Sequence, residues 1–166
     1  MKEIAGGVTS AKGFEAAGAE AAVKYKNRKD MALVYSTAPC KVAGTFTTNV
    51  VKAAPVLWDK QVVENSAFAQ AVVVNSGIAN ACTGEIGYSY CEETAKAAEE
   101  VLNIPYDNVF VASTGVIGKQ LPIDKIKAGT KVLAGKLNDS IEAGTDAAKA
   151  IMTTDTIDKQ IAVEFT

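Results

Sequence analysis

Short apolar runs alternate with a segment of helical periodicity, and this alternation limits the possible folds more than any other feature. Three runs carry the Val, Phe or Tyr content of buried strands and end at polar residues, at 31–36, 70–75 and 109–113. Between the second and third runs, apolar residues at Cys91, Ala95, Ala98 and Leu102 recur at helical spacing, which predicts a helix from Tyr88 to Leu102. The sequence therefore predicts a layered α/β domain.

The remaining elements follow from local signals. We expect a strand over 42–51 that pairs antiparallel with the strand at 31–36 through a turn at 37–41. Gly and Ala dominate up to Gly18 without a clean period, which indicates an irregular lead-in or a first short strand. Other predicted elements are a short helix followed by a loop within 53–65, helices from Pro122 onwards and over 141–152, and a closing strand over 159–165. No repeat or linker divides 1–166, so we expect a single domain.

Histidine is absent from the 166 residues, which excludes several kinds of catalytic site. The chain alone cannot build a Ser-His-Asp triad, a Cys-His dyad or a His-containing metal motif. With 17 Lys plus Arg against 19 Asp plus Glu, it shows no basic patch for nucleic acid and no polybasic membrane anchor. Any catalysis must therefore use another base or another chain.

Cysteine usage and the lack of targeting segments indicate a cytoplasmic protein. Cys40, Cys82 and Cys91 are odd in number and form no CxxC pair. There is neither a signal-peptide block nor an apolar run of membrane-spanning length. Because no histidine can activate it, Cys82 is expected to be a small buried packing residue and not a nucleophile.

The end of the run at 109–113 is the first candidate site. Gly115 and Gly118-Lys119 fail the phosphate-loop spacing, because only two residues separate the glycines and Gln120 follows the lysine. A strand that ends in Thr114-Gly115 can instead direct a hydroxyl and a backbone N–H to one point, as an oxyanion hole requires. The alternative is that Gly115 only makes a tight turn.

Two further polar segments are candidates. The segment 75–84 contains Asn, Ser and Thr between glycines, and it either binds a polar ligand or bonds its own backbone. The segment 152–156 is a run of hydroxyls after a predicted helix, and it either grips a small ligand or caps that helix. The residues alone leave both pairs of alternatives open.

These segments together resemble the ornithine acetyltransferases of arginine biosynthesis. The matching stretches occur in the family's order along the whole chain, and they are Gly6–Thr9, Lys12–Phe14, Lys29–Asp30, Ala43–Asn49, Val51–Val56, Val74–Gly77, Ala79–Gly84, Ala112–Gly118 and Ala150–Thr156.

The resemblance implies an activity shared between two chains. Members of the family cut themselves before a threonine, which becomes the N-terminal nucleophile of a β chain and can use its own α-amine as base. They move an acetyl group from N-acetylornithine to glutamate through an acetyl-threonine intermediate. Some members also accept acetyl-CoA, and no resident cofactor or metal is implied. The expected assembly is an α2β2 heterotetramer.

The resemblance also implies a fold and site residues. The expected fold is a layered α/β/β/α arrangement similar to amidohydrolases with N-terminal nucleophiles, with mixed or antiparallel sheets flanked by helices. By matching motif, the Thr114 hydroxyl and the Gly115 backbone N–H should hold the oxyanion. Thr154 should line the substrate site.

Two departures from the family pattern qualify these expectations. Ile78 stands where the family usually has Asn, so that position should have no polar role here. The Lys-Gly-Ser-Gly-Met and Pro-Asn-Met-Ala stretches that precede the family's cleavage point are absent, and Phe165 precedes Thr166 instead. We therefore expect most of an α chain, inactive by itself. The alternative is a stand-alone small-ligand-binding domain on the same scaffold.

Overall fold

The computed structural model of the chain describes residues 1–165. Single 3-10 turns lie at Val8–Ser10 and Tyr106–Asn108. The strands and helices, in chain order, are β1 (Lys2–Ile4), β2 (Phe14–Ala19), β3 (Met31–Lys41), α1 (Ala54–Asn65), β4 (Phe68–Ile78), α2 (Gly84–Leu102), β5 (Val109–Val116), α3 (Ile123–Ala134), α4 (Ile141–Ala150) and β6 (Ala162–Glu164). This mixed α/β architecture confirms the predicted fold class.

A four-stranded sheet in the order β2-β3-β4-β5 forms the centre of the fold. The strand β3 is antiparallel to both of its neighbours, β2 and β4, whereas β4 and β5 are parallel. A parallel pair needs a crossover, and α2 provides it between β4 and β5. The strands β1 and β6 form a separate antiparallel pair.

One face of the sheet holds the main core. Leu33, Val73 and Val109 lie at alternate strand positions and are at most 2% exposed beneath α1, α2 and α3. From α2, Cys91 and Ala95 pack into the same core, which confirms the predicted apolar stripe. Small residues on α2 let the helix lie close to the sheet.

Helix α1 covers the outer edge of β5. The Trp58 indole Nε1 donates to the Val109 carbonyl at 2.9 Å, and the Val111 N–H donates to the Asp59 carboxylate at 3.0 Å. Burial raises the pKa of Asp59 to about 6. Because an unpaired edge would leave these backbone groups without partners, the two side chains stabilise the strand at the edge of the sheet.

The other face of the sheet is covered in part by α4. A Cβ added at Gly18 of β2 would lie 2.3 Å from the Asp146 carbonyl oxygen, so only glycine permits this approach of α4. Ala16, Ala32 and Ala147 pack at the same contact. Beyond that contact, apolar residues line an open cleft of about 130 Å³, among them Val34, Val72 and Phe110.

The predicted hairpin at 31–51 is wrong. The strand β3 continues through the expected turn to Lys41, with an irregularity between Tyr35 and Cys40, and 42–53 contains no strand. Both edges of β3 are already paired, because Ala17 of β2 lies opposite Leu33 on one side and β4 occupies the other. No edge is left for a strand at 42–51.

The other predicted elements are confirmed with adjusted bounds. The helix expected from residue 88 begins at Gly84, and the helix expected to reach 152 ends at Ala150. The closing strand is limited to Ala162–Glu164, where β1 pairs with it. None of the helices within residues 1–165 is both long and apolar enough to cross a membrane.

Candidate active site

The carboxyl ends of the parallel strands β4 and β5 meet at one edge of the sheet. Ser76 lies opposite Thr114 and Gly77 lies opposite Gly115 in the strand register. Because Val109 and Val111 face the core under α1 and α2, alternation along β5 directs the Thr114 side chain to the opposite face, the one that α4 covers. Clefts at the carboxyl ends of parallel strands are common ligand sites.

Gly77 and Gly115 adopt backbone conformations at the strand ends that favour glycine. Gly77 has φ of +100° and Gly115 has φ of +132°, which L side chains rarely adopt. A Cβ added at Gly115 would lie 2.3 Å from the Gly77 carbonyl carbon and 2.7 Å from the Ile78 nitrogen. Gly115 is therefore required inside a strand pair, and it does not form the tight turn that was the alternative.

Thr114, Gly115 and Thr154 line one cleft of about 260 Å³. The structure thus brings together all three residues that the sequence nominated, although Thr114 and Thr154 are 40 positions apart. The helix α4 ends at Ala150, so Thr153 and Thr154 lie beyond it at the cleft and do not cap it.

Two hydrogen bonds fix the segment that carries Thr154. The buried Ser76 hydroxyl donates to the Ala150 carbonyl at 2.7 Å, which ties the end of α4 to the end of β4. The Arg28 guanidinium donates to the Met152 carbonyl at 2.6 Å, which ties the same segment to the loop before β3. Together they hold Thr154 against the strand ends.

The loop before β3 adds three cleft residues that sequence analysis missed: Lys24, Tyr25 and Arg28. Both cations lie over the Tyr25 ring, with the Lys24 ammonium 4.7 Å from the ring centroid. The Lys24 ammonium lowers the pKa of the Tyr25 phenol. No acidic residue lines this cleft within residues 1–165, so its charge is positive. The basic run 24–29 was the available signal.

Apart from Gly77, which lines the cleft, the polar residues of the segment 75–84 support the site. The Asn75 amide donates to the Ile78 carbonyl at 2.8 Å, and the Asn80 amide donates to the Gly87 carbonyl at 2.7 Å. The Thr83 hydroxyl donates to the Asn80 side-chain oxygen at 2.6 Å. These buried groups bond one another, which favours the self-bonded alternative. Ile78 is 2% exposed in the core, in agreement with an apolar role.

The prediction that Cys82 is buried is wrong. Cys82 is exposed, with φ of +57°, directly before α2, because the chain must turn sharply there to enter the helix. Cys91 is the buried thiol, and it accepts a hydrogen bond from the Asn80 amide at 3.3 Å. Burial raises the pKa of Cys91 to about 12, so this thiol remains protonated.

The structure offers no metal site within residues 1–165, where no three His, Cys, Asp or Glu side chains are grouped to hold an ion. What the cleft presents is a set of neutral and positive donors: hydroxyls, a glycine backbone and two cations. Such a set suits an anionic ligand or an oxygen that gains negative charge during acyl transfer. The fold and the cleft together define an α/β domain with a positively charged site at the ends of two parallel strands.

Comparison with known proteins identifies the family. A sequence model of the ArgJ family matches residues 15–166, so the chain belongs to the ArgJ family. The arginine biosynthesis bifunctional protein ArgJ of Symbiobacterium thermophilum is 52% identical over 99% of this chain. The chloroplastic ArgJ of Zea mays is 44% identical over 98% of it. The chain spans only 41% and 35% of the length of these two relatives.

Solved structures agree with this assignment. Ornithine acetyltransferase from Mycobacterium tuberculosis, crystallised with ornithine, matches with a TM-score of 0.90 and 43% identity over 94% of this chain and 83% of the matched chain. The ArgJ protein of Bacillus halodurans matches with a TM-score of 0.87 and 40% identity over 93% of this chain and 80% of the matched chain. The fold expected from the family resemblance is thereby confirmed.

Proposed function

We propose that this chain is the α part of an acetyltransferase that moves an acetyl group from N-acetylornithine to glutamate in arginine biosynthesis. The observation that carries the proposal is the convergence of Thr114, Gly115 and Thr154 on one cleft. In this role the Thr114 hydroxyl and the Gly115 N–H stabilise the oxyanion, and Thr154 contacts the substrate.

The nucleophile in this proposal is the N-terminal threonine of a β chain, released when a precursor cuts itself. Attack of the threonine hydroxyl on the acetyl carbonyl of N-acetylornithine forms the new C–O bond and places negative charge on the carbonyl oxygen. Collapse expels ornithine, whose nitrogen takes up the proton, and leaves acetyl-threonine. Glutamate then attacks that ester and leaves as N-acetylglutamate. The α-amine of the threonine can serve as base, which a histidine-free chain requires.

A partly uncovered sheet face supports the proposed β chain. Val72 and Phe110 are only half-buried on this face, and they line an apolar cleft together with Val34, which packs beside α4. In an α/β/β/α arrangement, a second sheet would cover this face. The length of the relatives provides chain for such a layer, since this chain spans 41% of one of them. We propose an α2β2 assembly in the cytoplasm.

The relatives' names as bifunctional proteins suggest a second acetyl donor. We propose acetyl-CoA for that role. It would act as a substrate that acetylates the same threonine, so the site needs no resident cofactor.

The test is a reconstitution assay. The chain should show no acetyl transfer between N-acetylornithine and glutamate by itself, because the nucleophile in this proposal belongs to the β chain. Expression together with the downstream segment, including the cleavage junction, should recover transfer, and replacing the junction threonine by alanine should abolish it. Turnover by the chain alone would contradict the two-chain proposal. A reconstituted complex that binds N-acetylornithine without turnover would favour a small-ligand-binding domain.

A further inference from the structure

The cleft contains two cations that the proposed reaction does not yet use. Lys24 and Arg28 line it together with Thr114 and Thr154. Within residues 1–165 neither cation is paired with a carboxylate, whereas the half-buried Lys29 close by is paired with Asp146. Unpaired positive charge in a cleft favours a negatively charged ligand group.

The side chain of Lys24 is held at the strand ends. A Cβ added at Gly77 would lie 2.9 Å from the Lys24 Cβ and 3.6 Å from its Cδ, so the lysine stem lies directly on Gly77. Gly77 in turn lies opposite Gly115. The ammonium rests over the Tyr25 ring, which holds a flexible cation without neutralising it.

Arg28 differs from Lys24 because it holds a backbone segment in place. One of its terminal nitrogens is occupied by the Met152 carbonyl at 2.6 Å, so it positions the segment that carries Thr154. Among the described residues Lys24 makes no such bond, and its ammonium is the group available to a ligand. The two cations are therefore a positioning residue and a ligand-binding residue.

We propose that Lys24 binds the α-carboxylate of the acylated amino acid. This inference rests on the proposed function. In an N-acetyl amino acid the carboxylate carbon is only three bonds from the acetyl carbonyl carbon. A cation that recognises the carboxylate must consequently share a small cleft with the oxyanion donors, as Lys24 does with Thr114 and Gly115. Because both N-acetylornithine and N-acetylglutamate carry this group, one lysine serves both half-reactions.

The test compares two substrates on the complete reconstituted enzyme. The substrates are N-acetylornithine and its α-carboxamide, which lacks the negative charge. In the wild type, the carboxamide should lower kcat/KM by about 10- to 100-fold, the usual range for a charged hydrogen bond. Lys24→Met should lose a similar factor on N-acetylornithine, mainly through KM, and should discriminate little between the two substrates. Lys24→Arg should recover part of the discrimination.

Lys26→Met is the matched control, because Lys26 is exposed on the same loop and does not line the cleft. It should behave as the wild type with both substrates. If Lys24→Met does not assemble, Lys24→Gln provides the same comparison. The wild type could be active while Lys24→Met still discriminates between the two substrates as strongly as the wild type does. That result would overturn this inference and leave the proposed function standing. A wild type without activity on N-acetylornithine would overturn the proposed function, and this inference with it.

Discussion

Gly77 and Gly115 lie opposite each other in the parallel pair of β4 and β5, and both have a positive φ. In the backbone conformation of Gly115, an added Cβ would overlap the Gly77 carbonyl. A Cβ added at Gly77 would instead lie 2.9 Å from the Lys24 Cβ, so each glycine makes room for a different neighbour at the cleft. The geometry leads directly to a prediction on stability.

Gly115→Ala should destabilise the protein by at least about 3 kcal/mol, because strain at positive φ and overpacking act together. Gly118→Ala is the matched control, since Gly118 has φ of +75° but no heavy atom within 4 Å of an added Cβ. It should cost only about 1–2 kcal/mol, from the backbone conformation alone. Urea unfolding measures both values. Equal losses would show that the Gly77 contact contributes nothing.

Ser76→Ala should destabilise the protein by about 1–3 kcal/mol, because it leaves the Ala150 carbonyl without its hydrogen bond in a buried site. The control is Ser89→Ala, whose exposed hydroxyl donates to the Ile86 carbonyl. That variant should stay within about 0.5 kcal/mol of the wild type. The free energies come from denaturant titrations. If Ser76→Ala leaves the free energy of unfolding unchanged, this hydrogen bond does not support the segment that carries Thr154.

Asp59 should make stability depend on pH. Its carboxyl has an ordinary pKa of 3.8 and a folded-state pKa of about 6, so the folded state binds the proton more tightly. The contribution of the protonated Asp59 to the free energy of unfolding is complete below pH 3.8 and is lost as the pH rises to about 6. Relative to Asp59→Asn, which cannot titrate but can still accept from the Val111 N–H, the wild type should lose about 1–2 kcal/mol over this window. This figure allows for screening of a half-buried group.

The measurement is the free energy of unfolding of both proteins at pH 4 and pH 7. Asp139→Asn, on an exposed carboxyl, is the control for the loss of one charge. A difference between the wild type and Asp59→Asn that stays constant across the window would contradict the assignment of this titration to Asp59.

The sequence was sufficient where one element determines its own structure. The small apolar stripe of α2 at Cys91, Ala95 and Ala98 predicted the buried face, and the run at 109–113 predicted β5. The strand β2 was harder to predict, because its Ala and Gly residues are small where α4 packs against the strand. Gly18 lies against Asp146, a residue of a helix that is distant in sequence.

Long-range contacts could not be predicted from the sequence either, because the residues that meet are distant along the chain. Nothing local indicates that Arg28 reaches Met152, 124 positions along the chain, or that both edges of β3 are occupied. The exposure of Cys82 likewise follows from the left-handed turn before α2, and the composition does not report that turn. The site residues themselves were found through motif resemblance, whereas their shared cleft required the fold.

The central claim is that Thr114 stabilises the oxyanion. Its side chain opens on the cleft that contains Gly115 and Thr154, with no acidic residue among the cleft lining described here. Loss of one oxyanion donor typically lowers kcat by about 10²–10³-fold. Thr114→Ala removes only the hydroxyl and should reduce acetylation by that factor while the Kd for N-acetylornithine changes little. Thr114→Ser keeps a hydroxyl and should retain far more activity.

The most direct test is the pre-steady-state rate at which N-acetylornithine acetylates the reconstituted enzyme, compared among the wild type, Thr114→Ala and Thr114→Ser. The account predicts a rate close to wild type for the serine variant and a loss of about 10²–10³-fold for the alanine variant. Equal acetylation rates in all three folded enzymes would contradict it.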